Sequence, residues 1–170
     1  MTAIERLWEM PNTDTFKMKK LRMWILKFLM GRVLNAFGGN TRLDEYNGEI
    51  VHNDINPKVD ADTYYDALFI DKYFEPKSFD TIILDPPYSI FQAVHYYDDF
   101  RCQDITRVRN AVDKLLKNGG FVISLGWNST GMGKKRGYEK LAILLVSCGG
   151  SHNDFIVTVE RKMNGVLKKS

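Results

Sequence analysis

Asp85-Pro86-Pro87-Tyr88 is the stretch of this sequence whose residue types can act together chemically. It follows Phe79 to Leu84, an apolar run that reads as a buried strand stopped abruptly by two prolines. Ligands of open α/β sheets bind at the carboxyl ends of such strands. Proline lacks an N–H and holds φ fixed, so the turn through Pro86 and Pro87 is rigid and its carbonyls are left to accept. The Asp85 carboxylate and the Pro86 carbonyl can then face one amino group, while Tyr88 offers a flat face to a planar ring. An exocyclic amine on a base is a poor nucleophile because its lone pair is delocalised into the ring. Two acceptors on its hydrogens favour the pyramidal form that attacks a methyl sulfonium. The catalytic set is therefore Asp85, Pro86, Pro87 and Tyr88. For a Pro-Pro pair alone, a plain strand-ending turn with a capped Asp explains as much.

The elements that must position this turn follow from the hydrophobic pattern. Residues 16–31 read as one helix, with Phe16, Leu21, Trp24, Ile25, Phe28 and Leu29 on a stripe and Asp14 or Thr15 as cap. Strands are expected over 32–37, 49–55, 79–85, 121–125, 142–148 and 155–161. A helix is expected over 104–117, capped by Asp104 and ended by Gly119-Gly120. Strands alternating with helices predict a parallel α/β sheet. The link from Gly149 to Asp154 is too short for a parallel crossover, which needs about a dozen residues or more. The expected fold is thus a Rossmann-like methyltransferase sheet, mostly parallel and ending in an antiparallel hairpin.

At these residues the sequence resembles the amino-methyltransferase family, S-adenosylmethionine-dependent enzymes that modify adenine N6 or cytosine N4 in DNA. The resemblance covers most of the chain. Asn35-Ala36-Phe37-Gly38-Gly39-Asn40 is similar to the family's cofactor loop, Asp-x-Phe-x-Gly-x-Gly. Phe37 and Gly39 match, Asn35 stands where Asp is common, and Thr41 where the last Gly is common. The resemblance implies that Asp54, followed by Ile55, holds the ribose hydroxyls. It implies that Asp66, followed by Ala67, accepts from the cofactor's adenine. Pro11 to Lys17 resembles the cofactor-closing segment, which places Thr15 and Phe16 at the pocket; Asn35, Phe37, Gly39 and Asn40 complete the cofactor set. Compact prokaryotic and viral adenine methylases share a run like Gly126-Trp127-Asn128-Ser129-Thr130-Gly131-Met132-Gly133. With Lys134 and Lys135 it reads as a flexible, basic substrate loop over 126–137, although Trp127 serves equally as a core anchor. Ser89, Trp127, Asn128, Lys134, Lys135, His152 and Asn153 form the expected substrate set. His52 and His95 have no partner pattern, and no metal is expected.

Size and composition bound the rest. The chain has 170 residues, 44% hydrophobic and 26% charged, so it is globular. One domain over 1–170 is expected, with a cofactor-closing N-terminal helix over 12–31. Two cysteines are too few for a disulfide framework. The start lacks the apolar core of a signal peptide and no run spans a membrane, so a cytoplasmic protein of a prokaryote or an infected prokaryotic host is expected. Net charge is +3, but the lysines and arginines are clustered. Lys17, Lys19, Lys20, Arg22, Lys27 and Arg32 run without an intervening acid; Lys134 to Arg136 and the tail Lys162, Lys168, Lys169 follow. Such clusters suit a polyanion, and equally suit solvated faces. The short stretches from Asn40 to Asp85 and after Tyr88 lead to the expectation of no separate recognition domain. The expected activity is DNA adenine-N6 methylation from S-adenosylmethionine, leaving S-adenosylhomocysteine, by a monomer or homodimer. Cytosine N4 and an RNA amine are the alternatives within the same chemistry. A silent methyltransferase-like nucleic-acid-binding subunit is the alternative of another class.

Overall fold

The computed structural model describes residues 1–87 and 104–164; Tyr88, Ser89, His95, Cys102, Lys168 and Lys169 lie outside them. Seven strands form one sheet: β1 (Ala3–Trp8), β2 (Val33–Asn35), β3 (Ile50–His52), β4 (Phe79–Leu84), β5 (Leu116–Gly126), β6 (Tyr138–Ser147) and β7 (Phe155–Lys162). Their order is β1-β6-β7-β5-β4-β2-β3. All neighbours run parallel except that β7 is antiparallel to both β5 and β6. The expected terminal hairpin is therefore present, and its turn stands at the edge where β4 and β5 end.

Strand pleating divides the apolar residues between two layers. Val33, Ile83, Ile123 and Leu144 pack with Phe16 and helix α1 (Lys19–Leu26) on one face. Leu34, Ile82, Leu84 and Val122 pack on the other with Val108, Val112 and Leu115 of helix α2 (Ile105–Leu115). Consecutive isoleucines in β4 thus serve opposite layers, which is why the run carries no polar alternation.

Several boundaries differ from the sequence reading. The helix expected over 16–31 is a 3-10 turn at Thr15–Lys17 followed by α1 alone, because Met18 is extended between them. Asp14 precedes that turn without a side-chain cap bond. Beyond α1 the chain turns through Met30, whose N–H and C=O both bond the Thr81 hydroxyl. Gly119 and Gly120 do not end α2; they lie inside β5, which begins directly after the helix. Asp104 does cap α2, accepting from Arg107 N at 3.0 Å. Strand β1 has no counterpart in the reading. It is an exposed edge strand paired in parallel with β6.

Half of the basic N-terminal run is paired with acids. Lys17 pairs with Asp14, Arg22 with Glu45 and Arg32 with Glu49. Lys162 pairs with Asp113 at 3.0 Å and is mostly buried.

Gly31 holds φ +56° against the Asp80 carboxylate, where a Cβ collides with that side chain. Asp80 cannot yield freely, since Lys117 Nζ reaches both its oxygens at 2.8 Å and Arg32 N donates at 2.9 Å. Burial pushes the Asp80 carboxyl up, but Lys117 and the Arg32 N–H outweigh it and hold it below the usual range. Its contribution to stability is present at neutral pH and is lost as acid takes the pH below about 4. Gly31→Ala is expected to cost about 1–3 kcal/mol in denaturant unfolding, from left-handed strain and this collision.

Candidate active site

The carboxyl ends of β2, β3 and β4 open onto a cleft of about 930 Å³, counted to its open mouth. Its floor is built from hydrogen bonds that the backbone makes after each strand. Ala36 N bonds Ile83 O of β4 at 3.1 Å, and Gly38 N bonds Asn53 O at 2.7 Å. Asn53, fully buried, pins the arrangement: its Nδ2 donates to Ala36 O and Tyr65 O, and its Oδ1 accepts from Thr63 Oγ1 and Tyr65 N. All four contacts are satisfied, so the side chain acts as a fixed brace between the β2 loop and residues 63–65.

Asp54 comes next along the chain and faces the cleft. Gly39 N donates to its Oδ2 and Asn56 N to its Oδ1, each at 2.9 Å. A carboxylate offers about four acceptor positions, so both oxygens keep capacity for a ligand's hydroxyls. Ile55, 39% exposed, stands beside it as an apolar surface. Asp66 caps the 3-10 turn Ala67–Lys72 by accepting from Leu68 N through Oδ1, and it too lines the cleft. Tyr65 backs that wall, stacked on Tyr73 at 3.9 Å.

The N-terminal segment closes the opposite side. Asn40 Nδ2 donates to Asp14 Oδ1 at 3.2 Å, tying the glycine loop to residues 13–16. Burial pushes the Asp14 carboxyl up, but its bonds to Lys17 and Asn40 outweigh this and keep it below the usual range. Phe16 is 2% exposed and joins cleft and core.

The structure gathers the expected cofactor residues Thr15, Phe16, Phe37, Gly39, Asn40, Asp54, Ile55, Asp66 and Ala67 around one cleft, together with Asp85 and Pro87. Pro86 lies between those two, half-buried. Tyr88 and Ser89 lie outside the described residues. Asn35 is not on the lining. It is fully buried in β2, and neither atom of its amide has a hydrogen-bond partner. The Thr41 hydroxyl, on the lining, is likewise buried without a partner. Buried polar groups of this kind take their partner from a ligand or a bound water. Sequence reasoning missed Asn53, Tyr65 and Thr41. Only Thr41 carried a signal, as the departure in the glycine loop.

The expected substrate residues are dispersed. Trp127 follows β5 at the carboxyl edge, 49% exposed, which removes the core-anchor reading. Asn128 turns its Oδ1 to Thr130 N at 2.9 Å. His152 and Asn153 are exposed in the β6–β7 turn at the same edge. Lys134 and Lys135 are exposed too, but they immediately precede Tyr138 at the amino start of β6, on the opposite edge from Asp85. Arg136 beside them bonds Asn110 of α2. The structure therefore separates this basic knot from the cleft. His52 is buried beneath the glycine loop, where desolvation lowers its pKa and favours the neutral ring. Among the described residues no cluster of three or more His, Cys, Asp and Glu could hold a metal, and no helix is long and apolar enough to cross a membrane.

No protein-family model matches this sequence, and no curated protein matches it. Solved structures do match the fold. TrmN from Thermus thermophilus superposes with TM-score 0.60 at 16% identity, over 89% of this chain and 50% of its own. This chain thus spans half the length of that neighbour. The 1,6-didemethyltoxoflavin-N1-methyltransferase of Burkholderia thailandensis, bound to S-adenosylhomocysteine, gives 0.56 at 12% identity, over 85% of this chain and 78% of its own. A Clostridium thermocellum protein assigned as an rRNA methylase gives 0.55 at 14% identity, over 84% and 95%. The fold is that of the Rossmann-like methyltransferases.

Proposed function

We propose that this chain is an S-adenosylmethionine-dependent methyltransferase acting on an exocyclic amine of a nucleic-acid base, with adenine N6 in DNA as the foremost acceptor. One observation carries the reading: Asp54 and Asp66 share a cleft with Asp85 and Pro87. An acid pair beside the apolar Ile55 and Phe37 suits a nucleoside, with Asp54 on the ribose hydroxyls and Asp66 on the purine edge. The orphaned Thr41 hydroxyl on the lining suits the polar amino-acid end of the same ligand. The residues therefore fit the cofactor, which when bound supplies an electrophilic methyl group on a sulfonium.

The remaining chemistry belongs to the turn after β4. Asp85 and the Pro86 carbonyl accept the two hydrogens of the amine and turn its lone pair towards the methyl carbon. The nitrogen–carbon bond forms as the carbon–sulfur bond breaks, with the electron pair passing to sulfur. Asp85 stabilises the positive charge that grows on nitrogen. A carboxylate is too weak a base to strip a neutral amine first. The proton leaves afterwards, from a cationic nitrogen, through Asp85 to water. Tyr88 is assigned the stacking face for a base that has left its helix, a step costing roughly a few kcal/mol. Stacking worth about 1–3 kcal/mol offsets much of it.

RNA is the second reading, favoured by the rRNA-methylase neighbour. The deciding experiment incubates the full chain with labelled S-adenosylmethionine and separate pools of DNA and RNA, followed by nucleoside mass spectrometry. N6-methyladenine in DNA is the expected product; label in RNA alone moves the acceptor class. No transfer, with cofactor binding intact by calorimetry, points to the silent binding subunit.

A further inference from the structure

One buried acid lies outside the machinery described so far. Glu160 is in the middle of β7 and only 1% exposed. Its cross-strand neighbour Lys140 does not face it in an ion pair but sends its ammonium to Ser129 O. The Glu160 carboxylate instead receives two backbone donors from the segment linking β5 to β6: Met132 N through Oε2 and Gly133 N through Oε1 at 3.2 Å. Gly131 makes the approach feasible. It holds φ +56°, and a Cβ there collides with the Glu160 carboxylate.

This segment does the work of a crossover without an α-helix, with only a 3-10 turn at Lys134–Arg136. It leaves the carboxyl edge at Gly126 and Trp127, runs down the sheet face over Glu160, and reaches the amino edge at Lys134–Arg136. Met132 is buried, and Arg136 holds Met132 O at 3.3 Å while Lys140 holds Ser129 O. The contacts from β7 and β6 therefore grip the middle of the loop, while its first residue, Trp127, stands half-exposed one strand from Asp85.

We propose that Glu160 is a positioning residue. By fixing the Met132 and Gly133 amides it sets where the loop starts, and so presents Trp127 to the acceptor nucleic acid at the carboxyl edge. The acceptor half of this inference rests on the function proposed above.

The test uses the full chain and two variants that attack the contact from either side, Glu160→Gln and Gly131→Ala. In Glu160→Gln the side-chain amide keeps one acceptor and turns an NH2 against the second backbone N–H. Loss of one charge-assisted bond corresponds to about ten-fold. Trypsin cleavage at Lys134–Arg136 is expected to accelerate by about that factor, and the KM for the acceptor to rise similarly. Cofactor affinity and kcat at saturating acceptor are expected to stay near wild type. Unchanged cleavage overturns the hold of Glu160 on the loop. Faster cleavage with an unchanged acceptor KM, in a chain that methylates, overturns the positioning role and leaves the proposed function standing. A wild-type chain that methylates nothing overturns the proposed function, and the acceptor half of this inference with it. Failure of both variants to fold makes Glu160 a fold residue and overturns the proposal.

Discussion

Asp85→Ala is expected to abolish methyl transfer while cofactor binding stays within a few-fold of wild type. The two properties separate because Asp85 stands at the end of β4, whereas the glycine loop and Asp54 come from β2 and β3. Removing a preorganised group that stabilises transition-state charge costs about 10²–10³ in rate, or more. Asp85→Asn keeps the shape but offers a neutral oxygen, and its amide opposes the amine hydrogens when turned the other way. It should fall between alanine and wild type. Single-turnover transfer with a saturating labelled cofactor reads the chemical step, and calorimetry reads binding. Near wild-type methylation by Asp85→Ala would remove Asp85 from catalysis and the amine-methyltransferase reading with it.

The second large effect is expected at Asp54. Two ribose hydroxyls donating to a carboxylate are worth about 1.5–3 kcal/mol each, so Asp54→Ala should weaken S-adenosylmethionine by about a hundred-fold or more. The structure adds a complication absent from the motif. Asp54 also accepts from Gly39 N and Asn56 N, so alanine strips partners from the glycine loop itself. Asp54→Asn separates the two roles. Its oxygen can keep one backbone donor, while its NH2 opposes the other and offers nothing to a hydroxyl pair. A thermal melt with and without cofactor then distinguishes a loosened loop from a lost ligand contact. A folded Asp54→Asn chain with unchanged affinity would take the ribose contact away from Asp54.

The linear pattern carried much of this protein because its signals are local. Val33 to Asn35, Ile50 to His52 and Phe79 to Leu84 stand out as apolar runs closed by glycine, asparagine or proline. The short Gly149–Asp154 link forces an antiparallel return whatever the rest of the chain does. The expected cofactor residues Phe37, Gly39, Asn40, Asp54 and Ile55 were legible because they come just after the ends of β2 and β3, and parallel strands deliver their carboxyl ends to one edge. Asn35 shows the limit of that argument. Its place in the motif was readable, but its side chain is fully buried and off the cleft lining.

What the sequence by itself determined was periodicity, turn chemistry and the order of motifs, hence the α/β sheet, its terminal hairpin and the Asp54–Asp66–Asp85 cleft. Only the tertiary structure decided which distant segments adjoin. β1 is a strand because β6 offers it an edge, not because Ala3 to Trp8 alternates. Arg22 and Arg32 meet Glu45 and Glu49 across the fold, so a run that reads as uniformly basic is in part paired. Lys134 and Lys135 follow Trp127 closely in sequence yet stand at the other edge, because the loop descends the sheet to begin β6. Glu160 reads as one charged residue in a strand until Met132 and Gly133 are folded onto it. Local patterns depend on neighbours within a few residues. Pairing, burial of charge and loop direction depend on contacts between remote segments, and those exist only once the sheet has assembled.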